Sequence, residues 1–178
     1  MTALREALAL SGIVPAQCGT DAGGGATSVR VLTPRGLAPC VDCGGCRETG
    51  RCVIPDEFEQ LYAAVTESEL VILAFPSYFD SFPAQLKAFI DRLQSRFAVT
   101  FAVGKKPRIQ RDGIAFITAG SDGPQPVGDR TLSHIFAVLG AAHRGTIYIA
   151  DTDRERPDAG VAARRLQEIY GQGNTQEN

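Results

Sequence analysis

Apolar runs alternate along this chain with stretches in which apolar side chains recur at helical spacing. Four short segments have the pattern of strands, the first by alternation and the others by continuous apolar character: residues 28–33, 70–75, 113–119 and 146–150. Five segments have one apolar face and predict helices: residues 2–11, 56–66, 84–97, 129–143 and 158–170. Strands that alternate with helices indicate an α/β fold with a parallel sheet.

Three loops follow predicted strands, at the edge where parallel sheets bind ligands. They are "APCVDCGGCRETGRCVIPDEF" (38–58), "PSYFDSFP" (76–83) and "GSDGPQPVG" (120–128). No repeat or domain boundary interrupts the pattern. We therefore expect one domain over residues 1–178, with a polar, frayed tail at 171–178.

Composition excludes some classes of function. The net charge of −2 gives no reason to expect nucleic acid as a partner. No apolar run approaches the roughly 20 residues of a membrane helix, so no membrane partner is expected. Because Glu6 interrupts the only apolar stretch near the N-terminus, a signal peptide is not predicted. We expect a cytoplasmic protein, whose thiols stay reduced.

Four of the five cysteines fall in the first of these loops, at Cys40, Cys43, Cys46 and Cys52. Two-residue gaps let one turn present three thiolates together, as in bacterial ferredoxins, and the fourth can complete the set. The spacing favours a [4Fe–4S] cluster, ahead of thiols without a metal. A zinc site, which usually draws on two separated Cys-x2-Cys pairs, and a disulfide follow as alternatives. Cys18, alone in a glycine-rich loop, is expected to have no role.

Two stretches resemble a known family. "PCVDCGGCRETGRCVIPDEFEQLY" and "ESELVILAFPSYFDSFPAQLKAFIDR" are similar to the flavodoxin-like NAD(P)H-dependent FMN reductases, above all to their iron–sulfur flavoprotein branch. The dense similarity covers residues 39–92. It implies a flavodoxin-like three-layer sandwich whose five strands, in the order 2-1-3-4-5, bind FMN at their carboxyl edge.

The resemblance also implies which residues bind the cofactor. The first flavin loop would place Tyr78 and Phe79 against the isoalloxazine ring, with backbone amides bonded to its polar edge. The second would approach the ring through backbone near its glycines. The predicted FMN-binding residues are Pro76, Ser77, Tyr78, Phe79, Asp80, Ala119, Gly120, Ser121, Asp122 and Gly123.

The function implied is that of an FMN-dependent oxidoreductase fed by NAD(P)H. A cluster on Cys40, Cys43, Cys46 and Cys52 would exchange single electrons with the flavin, and a ferredoxin could be the partner. The resemblance further implies a homodimer or homotetramer. The contrasting hypothesis is a degenerate flavodoxin-like module that binds a partner, with a structural metal or bare thiols and no flavin chemistry.

The chain departs from the family at its start. The family begins with a strand and a loop that wraps the FMN phosphate at a helix N-terminus, whereas this sequence begins at the helix of residues 2–11. The first strand is therefore apparently absent. Truncation of a longer protein is the favoured explanation, ahead of closure of the sheet without this strand or its supply by another chain.

Three further residues complete the predictions. Asp91 and Arg92 are expected to form an ion pair that ties their helix to a loop. His143 is expected near the C-terminus of the helix at 129–143, where a positive charge is favoured. We identify no Ser-His-Asp or paired-carboxylate arrangement.

Overall fold

A computed structural model of the chain describes residues 32–101 and 108–173. Several predictions lie outside this part of the chain: the helix at 2–11, Cys18 and its loop, most of the strand at 28–33, and residues 174–178. The predicted absence of a first strand is also not tested by the described residues.

The described strands form one parallel sheet in the order β1-β2-β3. The strands are β1 (Leu70–Pro76), β2 (Arg111–Thr118) and β3 (Ala141–Ile149). The helices are α1 (Phe58–Thr66), α2 (Ala84–Arg92), α3 (Gln94–Phe101), α4 (Asp129–Val138) and α5 (Ala159–Gly173). The predicted α/β fold with a parallel sheet is confirmed.

Helices cover both faces of this sheet. On one face, alternate residues of β1 pack with α1, α2 and α4, around the fully buried rings of Phe58 and Phe136. On the other face, Ile114 and Ile147 pack against Leu166 of α5. Strand β2 lies between the other two and is buried on both faces, which explains its continuous apolar sequence.

The boundary between α4 and β3 was predicted wrongly. The helix ends at Val138 rather than at residue 143, because Gly140 adopts a φ of +67°, a conformation that ends helices. Strand β3 then begins at Ala141, where "AAHRG" lacks the apolar run that predicts a buried strand. His143 consequently lies in β3, where it pairs with Gly113 of β2, and not at a helix terminus.

Other boundaries moved for local reasons. The helix predicted at 84–97 is divided at Leu93 into α2 and α3, where the buried Ser95 hydroxyl donates to the Arg92 carbonyl oxygen at 2.9 Å. Such bonds compete with the helical ladder. Helix α5 continues to Gly173, so the first residues of the predicted tail are helical. Within the described ranges, no helix is long and apolar enough to cross a membrane.

Candidate functional site

The four clustered cysteines line a single cavity. Cys40 and Cys43 are exposed, Cys46 and Cys52 are half-buried, and all four are free thiols. Within residues 32–101 and 108–173, no three cysteine, histidine or carboxylate side chains lie close enough together to hold a metal ion. The structure thus brings the predicted ligands to one cavity without closing them around a common centre.

Arg92 fastens both ends of the cysteine segment. Its buried guanidinium donates to the carbonyl oxygens of Ala38, at 3.0 Å, and Ile54, at 3.4 Å. It also pairs with both carboxylate oxygens of Asp56, at 2.7 and 3.0 Å. Such a two-point contact fixes direction as well as distance. One side chain of α2 therefore closes the chain from Ala38 to Asp56 into a loop.

The predicted pair of Asp91 with Arg92 was wrong. Asp91 bonds Lys87, one helical turn earlier, on the exposed surface of α2 at 2.6 Å. Neighbouring residues of a helix point in different directions, whereas residues four apart share a face. The interpretation that Arg92 ties the helix to a loop is correct, but its partner is Asp56, 36 positions earlier.

Asp56 and Glu57 anchor backbone amides of the same segment. Asp56 accepts hydrogen bonds from the amides of Ala38 and Phe58, and Glu57 accepts from those of Arg35 and Gly36. The hydrogen bond from Arg92 is the main reason that the pKa of Asp56 falls to about 2, although burial alone would raise it. The acids predicted to open a helix thus hold the entry to the cysteine segment, and α1 begins only at Phe58.

A second arginine fastens the later part of the segment to α3. Arg96 donates to the carbonyl oxygen of Gly50 and to Glu59, whose other carboxylate oxygen accepts the amide of Cys52 at 3.0 Å. Gly50 has a φ of +70°, and a Cβ there would lie 2.7 Å from a methyl carbon of Val99. The backbone therefore approaches α3 as closely as glycine allows.

Two buried donors near the cysteine segment, the Nε atoms of Arg92 and Arg96, have no partner among the described residues. The Nε of Arg92 is buried and bonds no acceptor in the part of the chain that the structure describes. Leaving a buried donor unpaired costs about 1–3 kcal/mol. Burial alone would lower the pKa of Arg92, but the hydrogen bond to Asp56 and the charge of Cys52 raise it above its ordinary value. Cys52 is therefore close to the guanidinium, in the cavity that both residues line.

The "PSYFDSFP" loop forms a two-residue hairpin turn. Tyr78 and Ser81 exchange both backbone hydrogen bonds, each 3.1 Å long. The central residues Phe79 and Asp80 have φ values of 50° and 55°, as in a type I′ turn, and the Phe79 ring is fully exposed. A left-handed phenylalanine is strained, and strain of this kind clusters at functional sites.

The hairpin changes which amides are free to bind a cofactor. The amide of Ser77 donates to Thr118 of β2 at 2.6 Å, and that of Tyr78 is used within the turn. The amides of Phe79 and Asp80 have no partner among the described residues. Of the amides of residues 77–80, which the resemblance implies face the flavin, two are therefore available, both at the tip of the turn.

The loop after β2 is held by the chain that follows β3. The amide of Asp151 donates to Ser121 at 2.9 Å, and both the amide and the hydroxyl of Thr152 donate to Ala119 at 3.0 Å. These bonds set the backbone of residues 119–121, which belong to the predicted flavin site.

The sequence analysis missed Tyr148 of β3. Its hydroxyl donates to the carbonyl oxygen of Gly123 at 2.9 Å. Burial, followed by the negative charges of Asp80 and Asp122, raises its pKa. The phenol therefore lies between the two predicted flavin loops. A tyrosine in the otherwise apolar "TIYIA" was the available signal, because a buried hydroxyl needs a partner.

Helix α2 connects the two groups of site residues. It begins directly after the hairpin loop and ends at Arg92, on the cysteine segment. Nine residues of α-helix span about 13 Å. The predicted flavin loops and the predicted metal ligands are thus joined by one short, rigid element.

Comparison with known proteins identifies the class to which this architecture belongs. Residues 13–155 match the family described as NADPH-dependent FMN reductase. This match covers most of the chain, so the chain belongs to that family. The resemblance inferred from the sequence is confirmed, and with it a flavin-dependent oxidoreductase family.

Curated proteins named iron-sulfur flavoproteins are similar to parts of this chain. An iron-sulfur flavoprotein of Methanosarcina thermophila is 43% identical over 56 residues, which are 32% of this chain and 29% of that protein. An iron-sulfur flavoprotein of Methanocaldococcus jannaschii is 27% identical over 122 residues, which are 68% of this chain and 58% of that protein. The chain thus spans less than two thirds of the length of either relative.

Solved structures were also compared. The Trp repressor binding protein from Bacillus subtilis is 19% identical with a TM-score of 0.47, over 62% of this chain and 76% of that one. An azoreductase from Bacillus anthracis str. Sterne is 18% identical with a TM-score of 0.45, over 66% of this chain and 62% of that one.

Proposed function

We propose that this protein is an FMN-dependent NAD(P)H oxidoreductase whose cysteine segment holds a [4Fe–4S] cluster. The proposal rests chiefly on one observation. In a chain of the FMN reductase family, the four cysteines line one cavity, and a single helix links that cavity to a strained, exposed aromatic turn at a strand end.

The residues at the strand ends fit an isoalloxazine ring. Phe79 and Tyr78 offer exposed aromatic surface, and the amides of Phe79 and Asp80 are free to donate to the ring's polar edge. Residues 119–123 would approach from the neighbouring loop, with Tyr148 fixing the carbonyl of Gly123. When bound, FMN supplies the hydride and single-electron chemistry, so no side chain of the protein need act as an acid or base.

The cysteine segment fits a cluster by its donor set. Thiolates of Cys40, Cys43, Cys46 and Cys52 would be the ligands, and a cluster there would supply one-electron transfer. Arg92 and Arg96 would hold the loop around it, as they hold the loop in the structure. The unpaired donor of Arg92 also suits a site where negatively charged sulfur is expected.

The remaining parts of the proposal concern partners. NADH or NADPH would deliver the electrons, and a small redox protein such as ferredoxin would exchange single electrons with the cluster. We further propose that the protein forms a homodimer or homotetramer and acts in the cytoplasm. The oligomeric state is what the resemblance to the family implies.

Titration of the flavin-free protein with FMN tests the flavin site. We expect quenching of flavin fluorescence by the wild type and roughly tenfold weaker binding by Phe79→Ala, because one stacked aromatic contributes on the order of 1–3 kcal/mol. Val161→Ala is the matched control, since Val161 is a half-exposed apolar residue on α5. A wild type that leaves FMN fluorescence unchanged, or a Phe79→Ala variant that binds as the wild type does, would contradict the assignment.

A further inference from the structure

The guanidinium of Arg92 bonds the cysteine segment through two of its three nitrogen atoms. Its two terminal nitrogens bond Ala38, Ile54 and both carboxylate oxygens of Asp56. Its Nε is buried yet has no partner among the described residues. Native structures rarely leave such a donor unpaired, and each case calls for an explanation.

The best candidate acceptor for this Nε–H group is the sulfur of Cys52. Cys52 and Arg92 line the same cavity, and Cys52 and Asp56 are the two groups whose negative charge acts on this guanidinium. Cys52 is also held in place, because Glu59 accepts its amide and Arg96 holds Glu59. Among the described cysteines, Cys52 is the one whose charge acts on Arg92.

We propose that Arg92 is a positioning residue for a single cluster ligand, with its Nε–H donating a hydrogen bond to the Sγ of Cys52 when that sulfur is bound to iron. The proposal rests on the cluster assignment made above. A neutral thiol is a weak acceptor, whereas a thiolate bound to iron accepts strongly.

The consequence is an asymmetric set of four ligands. A hydrogen bond and a buried positive charge at one sulfur withdraw electron density and favour the reduced cluster, because such bonds set cluster potentials. Cys40 and Cys43, which are exposed, lack this support. Arg92 would therefore raise the reduction potential while it also holds the loop.

The direct test uses the wild-type protein, isolated without oxygen and labelled with ¹⁵N-arginine. Pulsed electron paramagnetic resonance of the reduced protein should detect a coupling between the cluster and an arginine nitrogen. Arg92→Lys should lose this coupling and Arg96→Lys should keep it, because Arg96 is a second anchor of the loop that does not line the cavity. A wild type that contains iron but shows no coupling would overturn the proposal.

A redox titration separates the hydrogen bond from loop anchoring. For Arg92→Lys, the ratio of reduced to oxidised cluster at a fixed potential should fall about tenfold, a shift of about 59 mV for a one-electron couple. Asp56→Asn weakens the same anchor but keeps the Nε–H, so its shift should be much smaller. Equal shifts would show that Arg92 acts only through the loop. A wild type without iron would overturn the cluster assignment and this proposal together, whereas iron without coupling overturns this proposal alone.

Discussion

The cysteine segment and the loops at the strand ends are held by different forces. Charged side chains from other helices hold the cysteine segment, with Arg92 at its ends and Arg96 at its centre. Backbone hydrogen bonds hold the strand-end loops, such as those that join Ser77 to Thr118 and Asp151 to Ser121. Helix α2 joins the two regions, but different contacts hold each of them.

This difference determines how each region can fail. A loop held by the buried guanidinium of Arg92 and the partly buried one of Arg96 can lose its position through one substitution or one protonation, because a buried charge without its partner is costly. A loop held by several backbone bonds has no single side chain on which it depends. We therefore expect the cysteine segment to be the more sensitive region in each of the following experiments.

The largest effect is expected for Arg92→Ala. The substitution leaves the Asp56 carboxylate and two carbonyl oxygens without their donor and should lower the free energy of unfolding by about 3–5 kcal/mol. Urea unfolding measures this change. Arg154→Ala, which removes a mostly exposed arginine 3.7 Å from Asp151, should cost less than about 1 kcal/mol. Similar losses in both variants would remove the contrast between the regions.

Glycine substitutions compare the two backbones directly. Gly50→Ala should lower the free energy of unfolding by about 2 kcal/mol, because alanine is strained at a φ of +70° and its Cβ would meet Val99. Gly128→Ala, in the loop before α4, introduces a Cβ with no atom within 4 Å at an ordinary φ of −68° and should be tolerated. Thermal unfolding of both variants is the measurement. Equal stabilities would show that the close approach of Gly50 to Val99 does not affect the free energy of unfolding.

Acid should act on the cysteine segment first. The pKa of Asp56 is about 2 in the folded protein and about 3.8 without its partners, so folding favours the ionised form. The resulting stabilisation, about 2 kcal/mol, is complete above about pH 5 and is lost as the pH falls through about 2. The stability difference between wild type and Asp56→Asn should therefore shrink between pH 5 and about pH 2. A difference that stays constant with pH would refute this account of Asp56.

The smallest effect, and the opposite sign, is expected at the hairpin. Phe79→Gly relieves a left-handed phenylalanine and should raise the free energy of unfolding by about 0.5–1 kcal/mol. Chemical denaturation of the flavin-free protein measures the gain. Ser77→Gly, two residues earlier and without a positive φ, provides the comparison. A loss of stability in Phe79→Gly would show that the exposed ring supports the fold.

Local sequence patterns were enough to predict much of the fold. The apolar runs of β1 and β2 were predicted to within two residues, since strands buried on both faces have continuous apolar sequences. Strand β3 begins with small and polar residues, so its residues 141–143 were assigned to the preceding helix. Gly140, which separates the two elements, was a local signal for the end of the helix. The prediction followed the helical periodicity instead.

The candidate site was predictable only in part. The four cysteines singled out by their spacing line one cavity, and their role as metal ligands stays a prediction. The pairing of Arg92 with Asp56 spans 36 positions, and no local pattern reveals such a contact. The turn at Phe79 was also hidden, because type I′ turns favour glycine and asparagine and "YFDS" contains neither. A strained backbone position contradicts local preference by its nature.

The central claim is that this family member carries a flavin at its strand ends and a cluster in its cysteine segment. The most direct measurement is the absorption spectrum and metal content of protein purified without oxygen and supplied with FMN. We expect flavin bands above a broad iron–sulfur absorption, with about four iron atoms per chain. Colourless protein with one zinc ion per chain would contradict it.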